Sequence, residues 1–133
     1  MTWADWDVAI IALCAWREAR GDGREGMRAV MHVVKNRAKA AGHSWASICA
    51  APWQFSALTA HGDPELVIFP VHGQRDWESF ETAMQLASDL LEGIDTEDIT
   101  GGATHYFADG IPQPSWAKGM TQTARIGRQT FFK

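Results

Sequence analysis

Long apolar runs, dense basic stripes and paired cysteine or histidine motifs are all missing from this chain of 133 residues. No stretch approaches the roughly 20 apolar residues that cross a bilayer as a helix, which excludes a membrane span. The opening Met1-Thr2-Trp3-Ala4-Asp5-Trp6-Asp7 is acidic and lacks the basic n-region of a signal peptide, so the expectation is a soluble protein made in the cytoplasm without an export signal. The two cysteines, Cys14 and Cys49, sit in apolar surroundings without metal-ligand spacing, and buried free thiols are expected rather than a bridge. Five histidines form neither an HxxxH nor an HExxH pair, which argues against catalytic metal. There is no GxSxG elbow and no Walker-type loop, so neither a serine nucleophile nor a phosphate cradle is expected. Without a Lys/Arg stripe, nucleic acid is a poor candidate partner.

What is present fits one domain, residues 1–133, and a monomer. Hydrophobic content is 46%, enough for a core at this length, and seven tryptophans offer flat faces for packing or for the CH surfaces of sugars. The net charge of −4 is unevenly spread, because every acid of the second half lies between Asp63 and Asp109, with only Arg75 to offset them there. That segment reads as a solvated acidic face, followed by a basic tail of Lys118, Arg125, Arg128 and Lys133.

Helical spacing predicts a first helix over roughly residues 3–20, capped by Thr2 with Asp5. Its apolar stripes are Trp3, Trp6, Ile10, Leu13 and, beside it, Val8, Ile11, Ala15. Asp22 and Glu25 repeat the capping device for a second helix, whose inner face is Met27, Val30, Met31, Val34, Ala38 and Ala41, ending at Gly42. Ser44 caps a short turn through Trp45, Ile48 and Cys49. Residues 51–76 carry Pro52, Gly62, Pro64, Pro70 and Gly73 and read as a long irregular connection, a length usually reserved for function. Asp76 opens another helix, with Trp77, Phe80, Met84, Ala87 and Leu91 inward and Gly93 closing it, and Asp95-Thr96-Glu97-Asp98 reads as a solvated turn. Ala103 to Phe107 suits a strand, and Thr121–Ile126 with Gln129–Phe132 reads as a hairpin turning at Gly127-Arg128. The class is therefore α+β, mainly helical, with a small antiparallel sheet from the C-terminal third.

One acid stands out. Glu18 continues the Val8, Ile11, Ala15 stripe and so leans inward, in the last turn of a helix that Gly21 and Gly23 stop. Partial burial and the negative end of the helix dipole both push a carboxyl pKa upward, as a general acid requires. The plainer reading is a Glu in an exposed final turn, paired with a nearby Arg. Glycoside cleavage ordinarily needs a second carboxylate. Asp22 and Glu25 are near, but their spacing already accounts for them as caps, which favours a mechanism using one acid.

The run R-E-A-R-G-D-G-R-E-G-M-R-A-V from Arg17 to Val30, with V-V-K-N-R ending at Arg37, resembles the SleB-type cell-wall hydrolases, which include spore cortex-lytic enzymes and phage lysins. The likeness continues through Gln54-Phe55-Ser56, Gly102-Ala103-Thr104-His105-Tyr106-Phe107, Pro114-Ser115-Trp116-Ala117 and the closing I-G-R-Q-T-F-F, and so covers nearly the whole chain. It implies a lysozyme-like domain that cleaves the β-1,4 bond between N-acetylmuramic acid and N-acetylglucosamine in peptidoglycan glycan strands. It also implies that the first acid of the EARG run, Glu18, is catalytic, in a lytic transglycosylase that forms a 1,6-anhydro product without cofactor. Two departures stand against the family pattern. Asp22 replaces a common Glu, and Ala57 replaces a Trp after the Phe-Ser pair, a groove wall that Trp53 would then have to supply.

The expected substrate-binding set is Trp53, Gln54, Phe55, Ser56, His105, Tyr106 and Trp116. Ser56 serves either a sugar or Glu18, or merely caps a turn. His105 and Tyr106 are strand neighbours on opposite faces, with Tyr106 assigned to the cleft. Trp116 is either a sugar platform or a lid over the core. Alternatives are a hydrolytic muramidase using the same Glu and a non-catalytic wall-binding module. The resemblance implies that the place of action is the cell wall, reached through a holin or virion in a phage, or as one domain of an exported enzyme.

Overall fold

The computed structural model describes residues 3–50, 73 and 76–133. Four helices and three strands occupy them: α1 (Trp3–Ala19), α2 (Gly23–Ala41), α3 (Trp45–Ala50), α4 (Trp77–Leu91), β1 (His105–Ala108), β2 (Gln122–Ile126) and β3 (Gln129–Phe132). This is the expected α+β class. The predicted cap Thr2 and most of the stretch 51–76 predicted as an irregular connection lie outside the described residues.

α1 is apolar nearly all round, and such a helix is buried. Ile11, Ala12, Cys14, Ala15, Trp16 and Ala19 are at most 1% exposed, whereas Trp6 of the other predicted stripe is 49% exposed. Trp16 fixes the packing of α1 on α4: its indole N–H donates to Ser79 Oγ at 2.8 Å, and its ring meets Phe80 edge-on at 6.1 Å. On α4 the buried stripe is Ala83, Leu86, Ala87 and Leu90, with Phe80, Met84 and Leu91 only half-buried, so the helix is rotated from the predicted face.

α2 is buried more widely than one face. Met27, Val30, Met31, Val34 and Ala38 are interior as expected, joined by Ala29, His32 and Val33, while Ala41 is exposed. At about 1.5–3 kcal/mol for each large apolar side chain taken fully from water, this helix carries a large share of the core. Gly42 closes it in the left-handed conformation, and Ser44 Oγ accepts from Ser47 N at 3.1 Å as the predicted cap of α3. Cys14 and Cys49 are buried free thiols in mutual contact, and that contact, with burial, raises the Cys14 thiol well above its ordinary value.

The sheet order is β1-β3-β2, antiparallel throughout. Phe131 of the central strand pairs with Tyr106 on one side and Ala124 on the other. Flanked on both edges, all four residues of β3 are buried.

Two predicted roles are corrected. The turn over residues 95–98 is solvated only in part: Thr96 and Glu97 are exposed as expected, but Asp95 and Asp98 are held by partners. Asp95 accepts from Arg28 Nε and Nη2, each at 2.9 Å, and lies 3.0 Å from His32 Nε2. Asp98 accepts from Asn36 Nδ2, Thr100 N, Thr100 Oγ1 and Gly102 N. Arg28, His32 and Asn36 form one i, i+4, i+8 stripe of α2, so a polar seam binds this helix to the segment that leads into β1.

Asp22, in turn, does not cap α2 with its side chain. Because a 3-10 turn (Arg20–Asp22) leads straight into the helix, its φ of −96° and ψ of 7° are not the extended geometry of an N-cap. Its carboxylate instead accepts from Arg128 N at 3.2 Å, Arg128 Nε at 3.3 Å and Gln129 Nε2 at 3.4 Å. Two glycines make room for it. A Cβ on Gly26 would stand 2.4 Å from Asp22 Cβ, and one on Gly127, which has φ 58°, would stand 3.0 Å from Asp22 Oδ1. Gly127 also supplies the positive φ of the two-residue hairpin turn.

Candidate active site

Glu18 is half-buried in the last turn of α1, one turn beyond Cys14. Tyr106 reaches it from β1, 88 residues away, and its phenol donates to Glu18 Oε2 at 3.1 Å. The Tyr106 ring lies 5.6 Å from that of Phe131, which is fully buried, so the donor is held by the core of the sheet. Burial, reinforced by the negative charge of Glu18, raises the Tyr106 phenol well above its ordinary range. Tyr106 is therefore a neutral O–H donor throughout the physiological range.

Arg37 stands behind this pair. Its Nε donates to the Thr104 carbonyl at 2.5 Å, two residues before Tyr106. Burial lowers the Arg37 pKa, while the charges of Tyr106, Cys14 and Glu18 oppose that shift. Arg37 was quoted in the V-V-K-N-R block but not singled out from the sequence. No local signal marks it, since Arg37 lies among Lys35, Asn36 and Lys39 and its Thr104 partner is 67 residues away.

His105 takes the opposite face of β1, as alternation requires. Its Nδ1 is 2.9 Å from Thr104 Oγ1, and its ring lies 5.0 Å from Trp116. Burial first, then the charge of Arg37, lowers its pKa, so the imidazole is neutral near pH 7. Trp116, in the 3-10 turn Ser115–Gly119, meets Phe107 and Phe132 edge-on at 6.0 and 5.6 Å. It covers the outer face of the sheet and stays half-exposed, so both readings of it retain a basis. A pocket of about 760 Å³ opens beside His105, lined also by Arg37, Ala41, His43, Ile48 and Thr104. Thus Glu18 and Tyr106 come together, His105 and Trp116 come together on the other face, and Trp53, Gln54, Phe55 and Ser56 lie outside the described residues. Among the described residues no cluster of three or more His, Cys, Asp or Glu side chains could hold a metal ion, and no helix is long and apolar enough to cross a membrane.

The acids nearest Glu18 in sequence are engaged elsewhere. Asp22 binds the hairpin turn, and Glu25 pairs with Arg24 at 2.8 Å and Arg28 at 3.3 Å. Fold and site together define a helical α+β domain with an acid at the end of its most apolar helix, oriented by a phenol from its sheet.

Comparison with known proteins places that class. The model of the cell wall hydrolase family matches residues 21–132, and the chain belongs to that family. The spore cortex-lytic enzyme of Halalkalibacterium halodurans is 29% identical over 129 residues, 97% of this chain and 35% of the relative. That of Bacillus subtilis is 28% identical over 127 residues, 94% of this chain and 37% of the relative. The chain thus spans little more than a third of these relatives' length. Among solved structures, the catalytic domain of the Bacillus cereus SleB protein matches with TM-score 0.72 and 26% identity, covering 96% of this chain and 89% of that one. The catalytic domain of the germination-specific lytic transglycosylase SleB from Bacillus anthracis matches with TM-score 0.72 and 25% identity, covering 100% and 97%. The family that the sequence blocks resemble is the family found, and the lysozyme-like α+β expectation agrees with these structures.

Proposed function

We infer that this chain is a single-domain, monomeric lytic transglycosylase that cleaves the β-1,4 bond between N-acetylmuramic acid and N-acetylglucosamine in the cell wall. The observation that carries the reading is the Tyr106 hydrogen bond to Glu18 at the end of α1, with Asp22 and Glu25 bound to other partners. Membership of the cell wall hydrolase family and likeness to a lytic transglycosylase domain support it.

In this mechanism Glu18 gives its proton to the glycosidic oxygen as the bond from that oxygen to muramic C1 breaks. The carboxylate then takes the proton from the muramic C6 hydroxyl while O6 bonds to C1. The acid is regenerated, a 1,6-anhydro ring closes, and no water is consumed. One carboxyl group serves both steps, as acid and then as base. Tyr106 holds the carboxyl group in one orientation through both.

The test is mass spectrometry of the products released from purified sacculi. Anhydro-muramic ends are expected. Reducing ends would mean that water attacks and that the protein is a muramidase, and binding without soluble product would mean a wall-binding module.

A further inference from the structure

Asp22 stands four residues beyond Glu18, at the corner between α1 and α2, and its side chain is only 6% exposed. A carboxylate this buried is placed by the donors that meet it. Here they all come from the β2–β3 hairpin: the Arg128 backbone N–H at 3.2 Å, Arg128 Nε at 3.3 Å and Gln129 Nε2 at 3.4 Å. The Arg128 side chain is 73% exposed, so its ion pair is screened and the backbone N–H is the contact that fixes position. The fit is close, since a Cβ on Gly26 would overlap Asp22 and one on Gly127 would crowd it. The same turn residue reaches β1. The Arg128 carbonyl accepts from Asp109 N at 2.8 Å, just past the end of that strand, while Gln129 pairs with Ala108 in the sheet. β1 is an edge strand whose partner in the sheet is β3, so where the hairpin sits, Tyr106 follows. Through one turn residue, Asp22 couples the end of α1 that carries Glu18 to the strand that carries Tyr106.

We propose that Asp22 is a positioning residue for the reaction, one that holds the hairpin turn, and with it β1, at the height where the Tyr106 phenol meets Glu18. The assignment rests on the proposed catalytic role of Glu18. Displacing a donor from the group it orients costs rate and leaves substrate contacts elsewhere in place. The effect of losing Asp22 is therefore expected in kcat, and it is bounded by the effect of losing the phenol itself.

Tyr106 is the single tyrosine of the chain, so a carbon-13 label in the tyrosine ring gives one Cζ resonance that reports its hydrogen bond without turnover. Asp22→Ala is expected to move that resonance and to lower kcat per folded molecule on solubilised glycan strands about three- to tenfold, with KM held. In a Tyr106→Phe background the same substitution is expected to lower kcat by less than about twofold, because the bond it acts through is already gone. Asp22→Asn keeps the shape of the side chain and an acceptor oxygen for the Arg128 N–H. It is expected to lie between Asp22→Ala and the parent in both readouts, and it carries the test if the alanine variant does not fold. An unmoved Tyr106 resonance in the folded variants, or an equal loss of kcat with and without the phenol, overturns the proposal. A resonance that moves while kcat stays parental upholds the placement and overturns instead the catalytic reading of the Tyr106–Glu18 pair, so the two failures are told apart.

Discussion

Asp95 and Glu18 are both partly buried acids brought to their partners from distant parts of the chain, and they are held in different ways. Asp95 takes two guanidinium N–H groups from Arg28 and faces His32, 67 and 63 residues away. Hydrogen bonding to Arg28 holds its carboxyl well below the usual carboxylate range, against the opposing effect of burial. Glu18 is met by the phenol of Tyr106, a donor that burial keeps neutral. A charge-assisted fork makes the first acid a cross-link between α2 and the segment before β1. A neutral phenol orients the second. The first should therefore govern stability and the second rate.

The largest expected effect is on rate. Glu18→Gln should lower release of muropeptides from sacculi by about 10²- to 10⁴-fold, the scale of general acid–base catalysis, with an unchanged melting curve. Wild-type lysis by this variant would remove Glu18 from the mechanism.

Asp95→Asn should do the reverse. It breaks a guanidinium fork and should cost about 2–3 kcal/mol in denaturant unfolding, while activity per folded molecule is retained. A variant as stable as the parent would show that the seam is ornamental.

The pH dependence follows in sign. A carboxylate whose folded pKa lies below its unfolded value of about 3.9 contributes fully above that value, and the contribution fades as pH falls toward the folded one. The parent should thus lose stability more steeply than Asp95→Asn below about pH 5. Parallel acid-unfolding curves would contradict this.

Tyr106→Phe keeps the ring on Phe131 and deletes only the donor. Its kcat should fall about tenfold, with KM held and stability lowered by about 1 kcal/mol or less. A change in KM alone would make Tyr106 a substrate contact rather than an orienting group.

The smallest effect belongs to the surface. Arg125 meets both carboxylate oxygens of Asp109 at 3.0 and 2.5 Å, yet the two side chains are 53% and 44% exposed. Water and salt screen such a pair, so Asp109→Asn should leave both melting curve and activity unchanged.

Much of this molecule is legible in its sequence because local rules act over a few residues. Apolar spacing, Gly42 and the Gly127-Arg128 turn placed α1, α2 and the hairpin to within a residue or two. They also put Glu18 in a final turn, leaning inward. The roles of Asp22 and Asp95 escape a local reading because their partners lie 106 and 63 to 67 residues away, and that of Asp98 escapes it in part, since it accepts from Asn36, 62 residues away, as well as from nearby Thr100 and Gly102. A short polar segment has the same composition whether it faces water or a distant arginine.

The sequence by itself determined the helical elements, the hairpin and the family, through spacing and ordered blocks that survive without coordinates. It also set His105 and Tyr106 on opposite faces, since side chains alternate along any strand. Only the tertiary structure decided which of the two meets Glu18, and that Asp22 braces the hairpin turn rather than capping a helix. Those outcomes depend on how α1, α2 and the sheet pack, because desolvated carboxylates are placed by whichever donors the packing brings within 3 Å or so of them.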